Sequence, residues 1–165
     1  MLVASSARRR PRPADAAVAA ALAAVSPDRL RGLVEVLSFP RHYHADRRAN
    51  ARARDLLVAH LRNLGYAPAL HGSFDNVVAA TPGDDRPALV LGAHYDSVPD
   101  TPGADDNASA VAAVLECARL LKDHAAGPVR FVLFNREEDG LLGSTEYVAG
   151  LKPGAMDNFY VNCAE

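Results

Sequence analysis

Apolar residues recur at helical spacing over the first third of the chain, give way to short apolar runs, and later return to helical spacing. Ser26-Pro27-Asp28 joins a capping side chain, a proline suited to the first helical position and an acid that complements the helix dipole. This predicts a helix to about Ser38, ended by Phe39-Pro40. Ala53, Leu57, Leu61 and Leu64 predict a second helix from Asp46 to Leu64, with Gly65 at its C′ position. Its arginines, Arg47, Arg48, Arg52 and Arg54, read as a solvated basic face. Tyr66 to Leu70 and Asn76 to Thr81 are short strand candidates, followed by a turn at Pro82-Gly83-Asp84-Asp85. Ala88 to Ala93 is a continuous apolar run, the pattern of a strand buried on both faces.

A polar loop covers Asp96 to Asp106, and Val111, Val114, Leu115, Ala118 and Leu121 then place a helix over Asn107 to Asp123. After Gly127-Pro128, Val129 to Phe134 predicts another buried strand. Ser144 is expected to cap a helix to about Ala149 or Gly150, and Phe159 to Ala164 to form a final strand. This alternation predicts an α/β fold: a mixed, largely parallel sheet with helices on both faces.

Composition narrows the class without naming the function. At 165 residues the chain has the size of one domain, and 49% hydrophobic with 23% charged residues is ordinary globular usage. A net charge of −2 gives no broad electrostatic case for nucleic acid. No apolar run is long enough to span a bilayer, so no membrane contact is expected. Cys117 and Cys163 are too few for a disulfide scaffold and read as small buried hydrophobes. Residues 1–13 read as a basic leader without structure, and Ala16 to Val25 as an amphipathic helix at the start of the domain, 14–165. The alanine-rich stretch begins with Asp15 and lacks a small-x-small cleavage pattern, so a cytoplasmic location is expected, with secretion as the alternative.

The candidate chemistry lies in three polar clusters, each next to a predicted strand end or helix start, where α/β sheets gather their ligands. His94-Tyr95-Asp96 closes the strand Ala88 to Ala93, and the i, i+2 spacing lets the Asp96 carboxylate reach the His94 ring. Metal-binding histidines commonly give their second ring N–H to such a carboxylate. Asp105-Asp106-Asn107 enters the next helix, and clustered carboxylates resist joint ionisation unless a cation or a helix N-terminus stabilises them. Glu137-Glu138 follows the strand Val129 to Phe134, so that one carboxylate can bind a metal while its neighbour faces water. Oxygen donors with one imidazole suit Zn²⁺, with Mn²⁺ or Co²⁺ as alternatives.

Three ordered motifs carry a family resemblance: Gly92-Ala93-His94-Tyr95-Asp96-Ser97, Pro102-Gly103-Ala104-Asp105-Asp106-Asn107-Ala108-Ser109, and Phe134-Asn135-Arg136-Glu137-Glu138-Asp139-Gly140-Leu141-Leu142-Gly143-Ser144. Together they resemble the zinc aminopeptidase family, the co-catalytic di-zinc exopeptidases that also include glutaminyl cyclases and glutamate carboxypeptidase-type proteins. The resemblance implies a zinc-exopeptidase (phosphorylase/hydrolase-like) fold, a peptide substrate and two Zn²⁺. It makes His94 a ligand of one zinc, with Asp96 its orienting partner, and Asp106 the bridge between the metals. Glu137 is then the general base and acid, and Glu138 a ligand of the second zinc. The family's next ligand, usually Asp, falls at Glu165, and Ala110 stands where glycine is usual. Asp105 and Asn107 are left as loop and capping residues. The family's final histidine has no counterpart here, which leaves one zinc site incomplete and makes the chain resemble the N-terminal portion of a catalytic domain. A metal-dependent aminopeptidase is the leading expectation. The alternatives are a non-catalytic or truncated metal-binding remnant, or a carboxypeptidase- or cyclase-type relative.

Overall fold

The computed structural model describes residues 13–81, 89–122, 127–151 and 160–162. Three helices come first: α1 (Pro13–Ala23), α2 (Pro27–Leu37) and α3 (Arg47–Asn63). Two short strands, β1 (Ala69–His71) and β2 (Asn76–Ala80), precede β3 (Leu89–His94). An irregular helical turn over Ala104–Ser109 leads into α4 (Ala110–Leu121), then β4 (Val129–Phe134), α5 (Leu142–Ala149) and β5 (Tyr160–Asn162).

The five strands form one sheet in the order β1-β2-β4-β3-β5. The β3–β4 and β3–β5 pairs are parallel, and β1–β2 and β2–β4 are antiparallel. The sheet is thus mixed as expected, with its parallel half around β3. One face packs α2, α3 and α4 over Val77, Ala79, Ala93, Phe131 and Leu133. The other face carries Val90, Val132 and Phe134, covered by Tyr147 of α5. Phe131 is fully buried and meets Tyr66 edge to face, ring centres 5.6 Å apart.

The local signals explain most boundaries. Ser26 caps α2, its Oγ accepting the Arg29 amide at 3.3 Å. Gly65 ends α3 in the left-handed conformation (φ +85°), and the Tyr66 amide reaches back to the Leu61 carbonyl at 3.0 Å. The expectation of a solvated basic face on α3 holds for Arg47, Arg48 and Arg52, which are exposed. Arg54 instead pairs with Asp55 and Asp75.

Four boundaries differ from the sequence reading. Strand β1 begins at Ala69 because Tyr66 is drawn into the core, its hydroxyl donating to the Ala118 carbonyl at 2.7 Å. Helix α4 begins at Ala110, because Asp106 and Asn107 hold non-helical backbone angles (ψ 97° and 40°) across a cis peptide. Ser144 lies inside α5 and does not cap it. The helix is entered through Leu141 at φ 61°, and the Ser144 hydroxyl donates back to the Leu141 carbonyl. Helix α1 forms but is not amphipathic in its packing: none of residues 16–23 is buried, and Val18 and Leu22 are exposed. The expected turn at Pro82 to Asp85, Cys163, Glu165 and all of the leader 1–13 except Pro13, which begins α1, lie outside the described residues.

The register of β3 on β4 positions the site. His94 pairs with Phe134, and the Tyr95 amide continues the ladder by donating to the Phe134 carbonyl at 2.8 Å. His94-Tyr95-Asp96 and Asn135 to Glu138 therefore leave the sheet side by side at its carboxyl edge.

Candidate metal centre

His94 is 1% exposed at the end of β3. Its Nδ1 lies 3.4 Å from Asp96 Oδ1, and its Nε2 lies 3.0 Å from Asp106 Oδ1 and 3.9 Å from Glu137 Oε2. One donor atom each from His94, Glu137 and Glu138 falls within 4.8 Å of the others. The structure thus brings together His94, Asp96, Asp106, Glu137 and Glu138, from three separate chain segments. Asp105 is exposed, and Asn107 caps α4, its Oδ1 accepting the Ala110 amide at 3.2 Å.

Asp96 ties two of these segments together. Its Oδ1 accepts the amide of Glu137 and its Oδ2 the amide of Glu138, both at 3.2 Å. A buried carboxylate that spends its lone pairs on backbone amides acts as an orienting group. Burial pushes the His94 pKa down, but the carboxylates of Asp96, Glu137 and Asp106 outweigh burial and leave it raised. The Glu138 carboxyl is raised, first by burial and then by Asp106. The centre concentrates more negative charge than its protein surroundings neutralise.

The donor set fits a divalent cation. Among the described residues, Oε1 of Glu138 is buried without a hydrogen bond, and neither ring nitrogen of His94 makes a well-aligned one with the carboxylates beside it. Buried polar atoms are rarely left unpartnered, and here Nε2 of His94 faces the carboxylates of Asp106 and Glu137 while Nδ1 faces Asp96. Imidazole with carboxylates is a donor chemistry suited to zinc.

Residues that the motifs did not single out hold this arrangement. Arg41 is fully buried, and its guanidinium donates to five carbonyls: Leu37, Phe39, Tyr95, Pro102 and Gly103. It clamps the end of β3 to the loop that carries Asp106. Burial lowers its pKa to about 10, against the opposing pull of Asp96, Asp106 and Glu138. Asn50 and Asn135 exchange side-chain amide bonds at 2.9 and 3.0 Å. Asn76 Oδ1 accepts the Asn135 amide, and its Nδ2 donates to the Gly143 carbonyl. Nothing in the sequence marks Arg41 among its many neighbouring arginines, since arginine is ordinarily exposed. Asn76 and Asn135 stand beside strand ends, a position that is itself a usable signal.

Fold and site together define an α/β protein with a candidate metal centre at the carboxyl edge of its sheet. A family model described as peptidase family M28 matches residues 76–163, more than half of the chain, and the chain belongs to that family. It is 46% identical over 84 residues to the probable lipoprotein aminopeptidase LpqL of Mycobacterium tuberculosis, covering 49% of this chain and 17% of that protein. It is 48% identical over 71 residues to aminopeptidase YwaD of Bacillus subtilis, covering 42% of this chain and 16% of that one. The chain thus spans under a fifth of the length of these relatives. In structure it resembles the LapA aminopeptidase of Legionella pneumophila (TM-score 0.72, 21% identity, 88% of this chain and 44% of that one), a likeness of fold. It also resembles the glutaminyl cyclase of Porphyromonas gingivalis (TM-score 0.65, 28% identity, 77% of this chain and 56% of that one).

Proposed function

We propose that this chain carries the metal-binding site of a zinc-dependent aminopeptidase-type hydrolase, with peptides as substrate. The observation that supports this most is the convergence of Nε2 of buried His94 with Asp106, Glu137 and Glu138 in a family of peptidases. His94, Asp106 and Glu138 would hold the metal, with Glu165 as a further ligand. When bound, zinc supplies a Lewis acid that polarises the scissile carbonyl and lowers the pKa of water.

The protein groups do the rest. Asp96 fixes the His94 ring from its Nδ1 side and holds the turn that bears both glutamates. Glu137, half-buried and, among the described residues, paired only with the distant His94 ring, takes a proton from water at its carboxylate. It then delivers that proton to the leaving amine. Relatives named aminopeptidases at 46–48% identity favour this reaction over the cyclase reaction, whose structural relative stands at 28%.

Among the described residues no helix is long and apolar enough to cross a membrane. The expected cytoplasmic setting is weighed against a relative named a lipoprotein, which supports the exported alternative. The test of function is release of amino acids from peptides with free and with blocked N-termini, with and without added zinc. Zinc-dependent release from free N-termini alone is expected. Equal release from blocked peptides overturns the aminopeptidase reading, and none at all overturns activity of this chain.

A further inference from the structure

The turn bearing the acid pair is gripped by a group outside the metal centre. Arg136, between β4 and Glu137, holds φ +60°, a conformation that costs a side-chain-bearing residue energy and that glycine adopts freely. Its side chain is engaged on every side. The guanidinium carbon lies 4.8 Å from the ring centres of both Tyr43 and Phe74, which stand perpendicular to each other, so the cation sits in the corner between two aromatic rings. Its Nε donates to Asp139 Oδ2 at 2.9 Å, and one terminal nitrogen lies 2.8 Å from His44 Nε2.

Asp139 is held from its other side as well. His42 Nδ1 accepts the amides of His44 and Ala45, both at 3.2 Å, so its proton sits on Nε2, which faces Asp139 Oδ1 at 3.5 Å. The segment His42 to Ala45, between α2 and α3, therefore meets the turn Arg136 to Asp139 through His42 on Asp139, the Tyr43 ring on Arg136, and His44 on both. The amides that this turn presents at its start are those of Glu137 and Glu138, the pair that Asp96 accepts.

We infer that Arg136 is a positioning residue: its clamp on Asp139, Tyr43, Phe74 and His44 holds the left-handed turn that aims Glu137 and Glu138 at the centre. The strain at φ +60° makes this separable from a role in stability. Arg136→Gly removes the clamp and the strain together, so relief of the backbone offsets the missing side chain in the stability of the fold. Asp139→Asn weakens the clamp and leaves the backbone residue unchanged.

The experiment is amide hydrogen exchange on the full 165-residue chain without metal, beside a zinc-affinity titration and a thermal melt. In Arg136→Gly, exchange at Glu137 and Glu138 is expected to accelerate about ten-fold while the melting midpoint stays level or rises, and in Asp139→Asn to accelerate less. Zinc affinity is expected to fall about ten-fold, the scale of losing an outer-shell support. Unchanged exchange at both amides in both variants overturns the inference, as does acceleration spread over the whole sheet. The zinc arm rests on the proposed function and the exchange arm does not. A wild-type chain that binds no zinc counts against the metal reading and leaves the clamp to be decided by exchange.

Discussion

Asp96 reaches from the end of β3 to accept the amide of Glu137, 3.2 Å away in the turn that follows β4. With the matching bond to the Glu138 amide, this makes one carboxylate the joint between the histidine segment and the acid pair. Asp96→Ala breaks the ring orientation and the turn at once. We expect zinc affinity to fall roughly 10–100-fold, measured by competition with a chelating dye. Affinity within two-fold of wild type would mean that the ring and the turn are held by other contacts.

Glu137→Gln separates proton transfer from binding. The amide keeps the shape of the side chain and loses the basic oxygen. The expected outcome is zinc content unchanged and peptide hydrolysis reduced by about 10²–10⁴-fold, the ordinary range for a general base. Loss of zinc instead would make Glu137 a ligand.

Arg41→Met tests the buried clamp. The methionine fills part of the space but removes the donor shared by five carbonyls, of which Leu37 and Gly103 keep a backbone amide donor. Urea unfolding is expected to show a loss of about 3 kcal/mol or more. A loss below about 1 kcal/mol, the net worth of a single hydrogen bond, would show that water or a shifted loop replaces the guanidinium.

Glu116 supplies an acid-sensitive contact remote from the metal centre. Hydrogen bonds from Arg119 and then Arg29, working against burial, hold its carboxyl at about 2, below the ordinary 4.5. The folded state therefore binds that proton less readily than the unfolded chain. The stabilisation is complete above pH 4.5 and is lost as the pH falls toward 2. Urea midpoints of wild type and Glu116→Gln should differ at pH 7 and converge between pH 4.5 and 2. A gap that stays constant over that range would contradict the assignment.

Gly143 is a packing requirement of the site's frame. A Cβ there would run into the Asn135 carbonyl and stand 2.5 Å from Asn76 Oδ1. The nearer obstruction is the Asn135 backbone, which cannot swing aside as a flexible side chain would. Gly143→Ala is expected to lower the thermal midpoint by several degrees, whereas Gly32→Ala, with no described atom within 4 Å, should not.

The fold was legible where periodicity and punctuation agreed. Val129 to Phe134 is a strand over the bounds its apolar run implied, and Gly65 ends α3 where its position implied. The start of α4 was not, because Asp106 and Asn107 hold an irregular turn that helical spacing downstream cannot announce. Ser144 had the side chain of a cap, but the turn after Glu138 has already entered α5 through Leu141. The polar clusters at His94, Asp106 and Glu137-Glu138 were visible as motifs, and the pairing of His94 with Phe134 explains why they meet. Arg41 was invisible, since burial of an arginine depends on five carbonyls from segments up to 62 residues away. Arg136 was visible only as a letter between two motif residues. Its φ and its seat against two aromatic rings are tertiary facts.

The central claim is that His94, Asp106 and Glu138 hold metal. The most direct measurement is zinc per chain by elemental analysis after dialysis, on wild type and Asp106→Ala, with circular dichroism confirming that both are folded. One to two equivalents in wild type, falling sharply in the variant, is the predicted result. No bound zinc in a folded wild-type chain, or an equal load in both, would contradict it.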